Sequence, residues 1–297
     1  MWHRTLLPSG NMLQSKMLAF LSIILLACAA RSVSSVEPNN IFILAGQSNM
    51  SGRGGVVNNT WDGVVPPQCR PRADVLRLTA DLKWTQAAEP LHRDIDVHAV
   101  CGVGPGMSFA NFVLGKDPSL AVMGLVPCAV GGTSIREWQR GTVLYNQMKG
   151  RVSAAMRGGG TVRALLWYQG EADTLNSQDA ELYKGRLERF FMDLRSDLQS
   201  SLFPIIQVGL ASGQTPLLEK VREAQMAVDL ENVLFVDAKG LPLEPDHVHL
   251  TTAAEARLGE KLGAAFLGTL PSPIHSAIQT SAPGGFHNSV LGISDPH

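Results

Sequence analysis

The sequence has little charge and little cysteine. Asp, Glu, Lys and Arg make up 17% of its 297 residues, and the formal net charge is −1. No long basic block occurs, so the chain lacks the electrostatic surface that proteins use to bind nucleic acid or an anionic membrane. The four cysteines do not cluster with histidines at a metal-ligand spacing. The sequence therefore predicts no metal, no cofactor and no nucleic-acid partner.

A long apolar run of the kind that spans a membrane is also missing. The run Met17–Ala30 carries no charge, yet it is shorter than the roughly 20 apolar residues that a bilayer span needs. Lys16 precedes it, and Ala27-Cys28-Ala29 offers the small-x-small pattern that signal peptidase reads. We predict a signal peptide over residues 1–29, a secreted, extracellular (cell-wall) protein, and no stable membrane insertion after cleavage. The alternative is an uncleaved signal anchor in the secretory pathway.

The hydrophobic residues that are present suit a globular protein, since they make up 45% of the chain. We expect one folded domain over residues 36–270, and the sequence contains no internal repeat. Residues 271–297 contain Pro-Ser-Pro, Gly-Gly and many polar residues. This composition predicts a disordered C-terminal tail.

Cleavage of the signal peptide would leave Cys69, Cys101 and Cys128. An odd number excludes a full disulfide framework. Cys69 and Cys101 could pair in an oxidising compartment, whereas Cys128 ends an apolar run and suits packing as a small hydrophobe. Asn58-Asn59-Thr60 is a glycosylation acceptor in a polar stretch. Asn49-Met50-Ser51 has the same pattern, but we expect a glycan there to block folding.

Five short apolar runs divide the rest of the chain. Each is bounded by Gly, Pro or polar residues, and none alternates cleanly between apolar and polar positions. Strands that are buried on both faces of a parallel sheet have this pattern. The five runs are Ile41–Ala45, Ala121–Val126, Val162–Tyr168, Pro204–Leu210 and Val233–Val236.

Helical periodicity fills the spaces between the later runs. In residues 177–202, apolar side chains recur at three- and four-residue steps and share one face. Residues 216–230 and 251–267 are further helical segments. Alternating strands and helices predict an α/β fold, a three-layer α/β/α sandwich with a central, mostly parallel five-stranded sheet of the flavodoxin-like type. The long Gly- and Pro-rich segment 46–120 interrupts this rhythm, and we interpret it as the wall of a functional site.

Small polar residues follow several of the predicted strands. They are Gly46-Gln47-Ser48-Asn49 after the first, Gly131-Gly132 after the second, Gln169 and Glu171 after the third, and Asp246 and His249 after the fifth. Ligands of open α/β sheets bind at the carboxyl ends of the strands. These residues comprise a nucleophile, a base, an acid to orient the base, and neutral donors for an oxyanion, which are the groups that acyl transfer requires.

Each of these residues also has a structural interpretation. Ser48 alone is more often a helix N-cap than a nucleophile, and a Gly-Gly pair alone is usually a turn. Gln169 and Glu171 could satisfy hydrogen bonds at a strand end, and Asp246 could begin a loop. None of these interpretations predicts that all the groups meet at one edge of one sheet. The catalytic interpretation is therefore favoured.

The stretches around these residues resemble a known family. They are IFILAGQSNMSGRGG, CGVGPGMSFA, GLVPCAVGGTSIREW, LLWYQGEAD and DAKGLPLEPDHVHLTT. In this order they resemble the SGNH hydrolases and, within them, the carbohydrate esterase family six group, including its plant-type probable carbohydrate esterases and sialate O-acetylesterase-like domains. The resemblance covers residues 39–270 and implies an esterase domain with a serine nucleophile.

The resemblance assigns Ser48 as nucleophile, His249 as base and Asp246 as the acid that orients the base. An Asp three residues before the His on one loop is the SGNH arrangement. An α/β-hydrolase would instead have a Gly-x-Ser-x-Gly elbow, and here Asn49 and Met50 follow the serine. The same spacing leaves His247 outside the triad.

The resemblance implies an oxyanion hole made by the backbone N–H groups of Ser48 and Gly132 and by a side-chain amide. The wider superfamily has an asparagine in the third block, where this chain offers Gln169 and Glu171. An amide donates hydrogen bonds, whereas an ionised carboxylate only accepts them. We therefore expect Gln169 to be the donor, and Glu171 to orient neighbours such as Arg136 or Gln169 itself.

These expectations describe a secreted serine esterase that removes O-acyl, above all O-acetyl, groups from carbohydrate. The substrate class comes from the resemblance. Arg136 and Trp138 could line a sugar site, although Trp138 suits the core equally well. The alternatives are a small-molecule or lipid esterase of the same mechanism, which an apolar cleft in the 47–120 segment would favour, and a catalytically spent carbohydrate-binding protein.

Overall fold

The computed structural model describes residues 37–213 and 216–270. The predicted signal peptide and C-terminal tail lie outside the described residues. The strands are β1 Asn40–Gly46, β2 Val56–Val57, β3 Thr60–Trp61, β4 Val75–Leu78, β5 Trp84–Gln86, β6 Met123–Pro127, β7 Thr161–Tyr168, β8 Ile205–Gly209 and β9 Val233–Asp237. The helices are α1 Ser48–Ser51, α2 Pro105–Lys116, α3 Val143–Ala155, α4 Ser177–Asp197, α5 Leu217–Met226 and α6 Thr252–Leu267.

The central sheet has the order β5-β4-β6-β1-β7-β8-β9. Neighbouring strands are parallel except β4 and β5, which are antiparallel. The chain enters at β1 in the middle of the sheet, builds β4, β5 and β6 on one side, and then crosses to β7 on the other. In such sheets a ligand crevice opens where the direction of strand addition reverses. That point lies at the carboxyl end of β1.

The α/β class and the five predicted parallel strands are confirmed, but the predicted strand count is wrong. The segment that we interpreted as irregular also supplies β4 and β5 to the central sheet. In β4 the charged Arg77 is 1% exposed and interrupts the apolar pattern of a four-residue strand. The edge strand β5 has only three residues, none of them buried. Strands this short and polar give no hydrophobic run to detect.

Helices cover both faces of the sheet. The ring of Phe42 on β1 lies 5.0 Å from that of Phe109 on α2 and 4.9 Å from that of Phe266 on α6. Trp167 on β7 pairs in register with Ala45, three residues from Phe42, and so points to the opposite face. There Trp167 packs 4.6 Å from the ring of Phe190 on α4. The sheet therefore lies between two helical layers, as predicted.

The helical layer of α2 and α6 is packed closely enough to require glycine. A Cβ on Gly259 of α6 would lie 2.3 Å from the carbonyl oxygen of Pro105 and 1.8 Å from Ser108 Oγ, both on α2. Thr251 caps α6 by accepting a hydrogen bond from the N–H of Ala254 at 3.3 Å. Because His249 lies two residues before this cap, the position of α6 also fixes the end of the histidine loop.

Candidate active site

Loops from five strands meet around one cavity of about 460 Å³ at the carboxyl edge of the sheet. The nucleophile turn follows β1, the glycine pair follows β6, Glu171 follows β7, Gly213 follows β8, and the histidine loop follows β9. Arg53, Asp96, His98 and Ala99, from the long segment before α2, also line the cavity. The predicted interpretation of this segment as a wall of the site agrees with that lining.

The turn at the end of β1 places Ser48 at the cavity, although the residue is only 6% exposed. Gly46 has a φ of 129°, and a Cβ there would lie 2.0 Å from the carbonyl oxygen of Tyr168. Glycine is therefore required where the strand turns. Gln47 is extended, and Ser48 begins the four-residue helix α1 with its side chain at the cavity.

The structure brings Ser48, His249 and Asp246 together. His249 Nε2 lies 3.0 Å from Ser48 Oγ, and His249 Nδ1 lies 2.6 Å from Asp246 Oδ2. A serine bonded to an imidazole whose other nitrogen is held by a carboxylate can act as an activated nucleophile. His247, which we placed outside the triad, is exposed in a left-handed conformation with φ 60° and does not line the cavity.

The Asp246 carboxylate is held by its own loop. Its Oδ1 accepts hydrogen bonds from the N–H groups of Val248 and His249, both at 2.9 Å, which leaves Oδ2 for the imidazole. Two opposing effects act on the pKa of Asp246: partial burial favours the neutral form, and the hydrogen bonds favour the charged form. The hydrogen bonds have the larger combined effect, so the pKa lies below its ordinary value. The carboxylate therefore stays charged and fixes the ring orientation.

Asn49 ties the nucleophile turn to the histidine loop, a role that the sequence did not reveal. It is fully buried. Its Oδ1 accepts from the N–H of Leu250 at 2.9 Å, and its Nδ2 donates to Glu171 Oε1 at 2.8 Å. This burial also removes Asn49 as a glycan acceptor, as expected. Asn58, by contrast, is exposed in the turn between β2 and β3.

Two of the three expected oxyanion donors border the cavity. The backbone N–H groups of Ser48 and Gly132 make no hydrogen bond to any group in residues 37–213 or 216–270. Gly132 has a φ of 73° and is exposed at the cavity. Both groups are thus free to bind an oxygen that carries developing charge.

The expectation for Gln169 as the third donor is wrong. Gln169 is fully buried and does not line the cavity. Its Nε2 donates to the carbonyl oxygen of Thr133 at 2.8 Å and to Asp173 Oδ2 at 2.6 Å, while its Oε1 accepts from the Tyr183 hydroxyl at 3.2 Å. The amide is fully used by neighbours from two loops and from helix α4, which sequence spacing alone does not show.

Gln47 supplies the side-chain amide at the cavity instead. Its Oε1 accepts at 3.3 Å from Gln169 Nε2 and from the N–H groups of Gly170 and Ala172. These contacts fix the amide with its oxygen turned toward the loop after β7. Its Nε2 donates to no group in the described part of the chain, and the residue lines the cavity beside Ser48. The signal for this residue was its position directly before the serine.

Glu171 lines the cavity, but neither of its expected partners is there. It is held by Asn49, not by Arg136 or Gln169. Burial raises the pKa of Glu171 to about 7, against the opposing effect of the Asn49 hydrogen bond. Arg136 is exposed and lies away from the cavity, whereas Trp138 is fully buried with its ring 5.3 Å from that of Trp167. Neither residue lines this cavity, and Trp138 takes the core position that the sequence allowed equally well.

A buried ion pair at the cavity was missed entirely. Arg53 Nη2 lies 2.5 Å from Asp96 Oδ2, with the two side chains 6% and 1% exposed. Both come from the long segment before α2, where no strand or helix period marked a site residue. His98 and Ala99 from the same segment also line the cavity.

The cysteines of the described residues form no disulfide, and the titratable side chains there form no metal site. Cys69, Cys101 and Cys128 are all buried free thiols, so the considered Cys69–Cys101 bridge is absent. No group of three or more His, Cys, Asp or Glu among the described residues is arranged to hold a metal ion.

Comparisons with known proteins agree on one family. The family model for "Carbohydrate esterase, sialic acid-specific acetylesterase" matches residues 38–268. A probable carbohydrate esterase of Arabidopsis thaliana is 53% identical over 241 residues, which are 79% of this chain and 92% of that protein. Its X-ray structure superposes with a TM-score of 0.76, covering 78% of this chain and 99% of that one.

A more distant structure shares the fold. A carbohydrate acetylesterase from Xanthomonas citri is 16% identical, with a TM-score of 0.55 over 76% of this chain and 55% of that one.

Proposed function

Because the chain belongs to the carbohydrate esterases of the sialic acid-specific acetylesterase family, we propose that it removes O-acetyl groups from carbohydrate through a Ser48–His249–Asp246 triad. The family makes the protein a carboxylic ester hydrolase. The observation that best supports the triad is the continuous chain of contacts from Ser48 Oγ through the His249 ring to Asp246, at 3.0 and 2.6 Å. From the matched stretches we also propose that the protein is an SGNH hydrolase and, within that superfamily, a member of the carbohydrate esterase family six group.

In the first step Ser48 Oγ attacks the ester carbonyl while His249 Nε2 accepts the hydroxyl proton. Asp246 holds the ring in the required tautomer and stabilises its positive charge. The carbonyl oxygen becomes negative and is bound by the N–H groups of Ser48 and Gly132 and by Gln47 Nε2. Collapse of this intermediate expels the sugar alkoxide, which takes the proton from His249 and leaves acetyl-Ser48.

In the second step water hydrolyses the acetyl-enzyme. His249 Nε2 accepts a proton from the water as the water attacks the acyl carbonyl, and the same donors bind the oxyanion again. Collapse returns the proton to Ser48 Oγ and releases acetate. Ser48, His249, Gly132 and Gln47 line the cavity, and Asp246 acts behind it through its contact with the His249 ring.

The cavity wall bears on the alternative esters. Beyond the nucleophile turn, the long segment before α2 contributes four residues to the lining. Three are polar or charged, namely Arg53, Asp96 and His98, and the fourth, Ala99, is small. The side chains that this segment contributes are therefore mainly polar or charged, which favours a carbohydrate ester over a lipid. The exposed Leu175 on another loop, 66% accessible, is the feature that keeps a small apolar ester as the second candidate.

Labelling and acetate release together test the proposal. A fluorophosphonate probe should label the wild-type protein and not Ser48→Ala, since only an activated serine reacts. Wild type should also release acetate from acetylated xylan, pectin or simple acetyl esters. A wild type that resists the probe and hydrolyses no ester would support the carbohydrate-binding alternative. Release from simple esters only would favour the small-ester alternative.

We also propose that the protein is secreted. The uncharged run Met17–Ala30 and the exposed acceptor Asn58 support this address, and acetylated wall polysaccharide lies in the same compartment. No helix in the described ranges is long and apolar enough to cross a membrane. N-terminal sequencing of protein from its native tissue should begin near Ala30. An intact N-terminus on an intracellular protein would contradict secretion and leave the triad proposal standing.

A further inference from the structure

Asp96 binds three residues from two separate stretches of the chain beside the proposed oxyanion hole. The residue is 1% exposed and borders the cavity. Its Oδ2 accepts from Ser51 Oγ at 2.7 Å, from Arg53 Nη2 at 2.5 Å, and from the N–H of Gly131 at 3.1 Å. One carboxylate oxygen therefore holds the nucleophile turn, the residues after it and the glycine loop.

Each contact of Asp96 lies close to a proposed oxyanion donor. Ser51 is the last residue of α1, which begins at Ser48, and Ser51 Oγ also lies 3.0 Å from the carbonyl oxygen of Ser48. Gly131 directly precedes Gly132. The carboxylate is thus linked to the Ser48 turn through Ser51, and to the Gly132 N–H through Gly131.

Arg53 reinforces this arrangement. Its Nη1 donates to Ser51 Oγ at 2.8 Å and to the carbonyl oxygen of Gly52 at 3.0 Å. A Cβ on Gly131 would lie 2.8 Å from Arg53 Nη2 and 3.5 Å from Ser48 Cβ, so the glycine loop lies directly against the ion pair and the nucleophile. Hydrogen bonds to ionised groups are stronger than neutral ones, and losing one partner leaves a buried charge unpaired. The network therefore resists changes in the loop position.

We propose that Asp96 is a positioning residue that sets the separation and direction of the Ser48 and Gly132 N–H donors. An oxyanion hole is effective only when its donors are already aimed at the position of the developing charge. Without the carboxylate, the Ser48 turn and the glycine loop would keep the backbone hydrogen bond from the Val130 N–H to the Gly46 carbonyl oxygen at 3.0 Å, but they would lose the side-chain link between Ser51 and Gly131. The proposal rests on the proposed function, because it assumes that these N–H groups bind an oxyanion.

The test compares Asp96→Ala and Asp96→Asn with the matched control Asp94→Asn. Asp94 lies two residues away and pairs with Arg77, an arginine that is 1% exposed, but it does not border the cavity. The control thus also unpairs a buried arginine, outside the site. For each variant we would measure Tm, kcat and KM on a chromogenic acetate, and the Ki of a boronic acid, whose tetrahedral serine adduct places an oxygen in the hole.

Asp96→Ala should lower kcat by about 10²-fold, the usual effect of losing one oxyanion donor, with KM little changed. The boronate affinity should fall in parallel. Asp96→Asn should recover part of both losses, since its amide oxygen still accepts from Gly131. Asp94→Asn should lower Tm comparably while keeping kcat and boronate affinity near wild type.

Three results would contradict the positioning role. They are an Asp96 variant with wild-type kcat, a kcat loss without a loss of boronate affinity, and an equal loss of both in Asp94→Asn. Should Asp96→Ala not fold, Asp96→Asn decides by the same criteria. A wild type that neither hydrolyses the acetate nor reacts at Ser48 would instead contradict the proposed function itself.

Discussion

At the scale of single residues, two histidines in one loop differ completely in environment. His249 Nε2 lies 3.0 Å from Ser48 Oγ, whereas His247 is exposed and away from the cavity. We expect His249→Ala to lower kcat by about 10⁴-fold or more, since triad members act as a unit. His247→Ala should leave kcat near wild type. Steady-state rates on a chromogenic acetate distinguish the two, and exchanged phenotypes would refute the assignment.

Gln47, and not Gln169, is the side-chain donor that we propose for the oxyanion. Gln47→Ala should lower kcat by about 10²–10³-fold with KM little changed, because the oxyanion loses one donor. Gln47→Glu is the sharper variant, since it keeps an acceptor for the N–H groups of Gly170 and Ala172 while removing the amide donor. Its kcat should fall at least as far.

The buried Gln169 should behave as a structural residue. Gln169→Ala leaves Asp173 and the carbonyl oxygen of Thr133 without a donor that they now have. We expect the free energy of unfolding to fall by about 1–3 kcal/mol, measured by urea titration. Two results together would return the donor role to Gln169. They are a wild-type kcat in Gln47→Glu, and a large kcat loss with unchanged stability in Gln169→Ala.

At the scale of elements, the site depends on how closely α6 packs on α2. Gly259→Ala places a methyl group against the carbonyl oxygen of Pro105, 2.3 Å away, on a helix that cannot yield locally. We expect it to destabilise the protein by about 1–3 kcal/mol, the usual cost of overpacking. Activity should fall as well, because α6 begins just after the His249 loop.

Gly185 provides a matched control for that substitution. It lies inside α4, is exposed, and has no atom within 4 Å of an added Cβ. Gly185→Ala should therefore stabilise the protein by roughly 0.5–1 kcal/mol through helix propensity alone. Thermal unfolding of both variants checks the pair. Equal effects of the two substitutions would contradict the close packing of α2 and α6.

At the scale of the whole molecule, several carboxyls are buried. Burial raises the pKa of Glu89 to about 8, that of Glu171 to about 7 and that of Asp173 to about 6, and burial with the nearby charges of Glu89 and Glu171 raises that of Glu255 well above its ordinary value. Both oxygens of Glu255 are buried without a hydrogen-bond partner in the described part of the chain. The folded state thus favours the protonated forms.

Stability should therefore fall as the pH rises from 5 to 8. In this range the unfolded chain has largely lost these protons, while the folded protein releases them only as the pH passes each raised pKa. The folded state therefore binds more protons than the unfolded state, so the slope of unfolding free energy with pH is negative. Tm should drop by at least about 2–4 °C, the shift that 1 kcal/mol produces in a domain of this size. Glu255→Gln should flatten the dependence. A Tm that rises over this range would contradict the burial of these groups.

The sequence by itself determined the fold class, the five parallel strands and the approach of His249 and Asp246 to Ser48. Apolar runs and helical periods are local patterns, and parallel strands place whatever follows them at one edge of the sheet. The direction of the Gln169 amide and the partners of Glu171 were decided only by the tertiary structure. So was the convergence of Ser51, Arg53 and Gly131 on Asp96, because these contacts join residues far apart in the chain and depend on side-chain torsions that no local pattern encodes. The strands β4 and β5 could not be predicted for a related reason. Both are short, β4 contains a buried arginine and β5 has no buried residue, so their stability comes from the neighbouring strands and not from their own hydrophobicity.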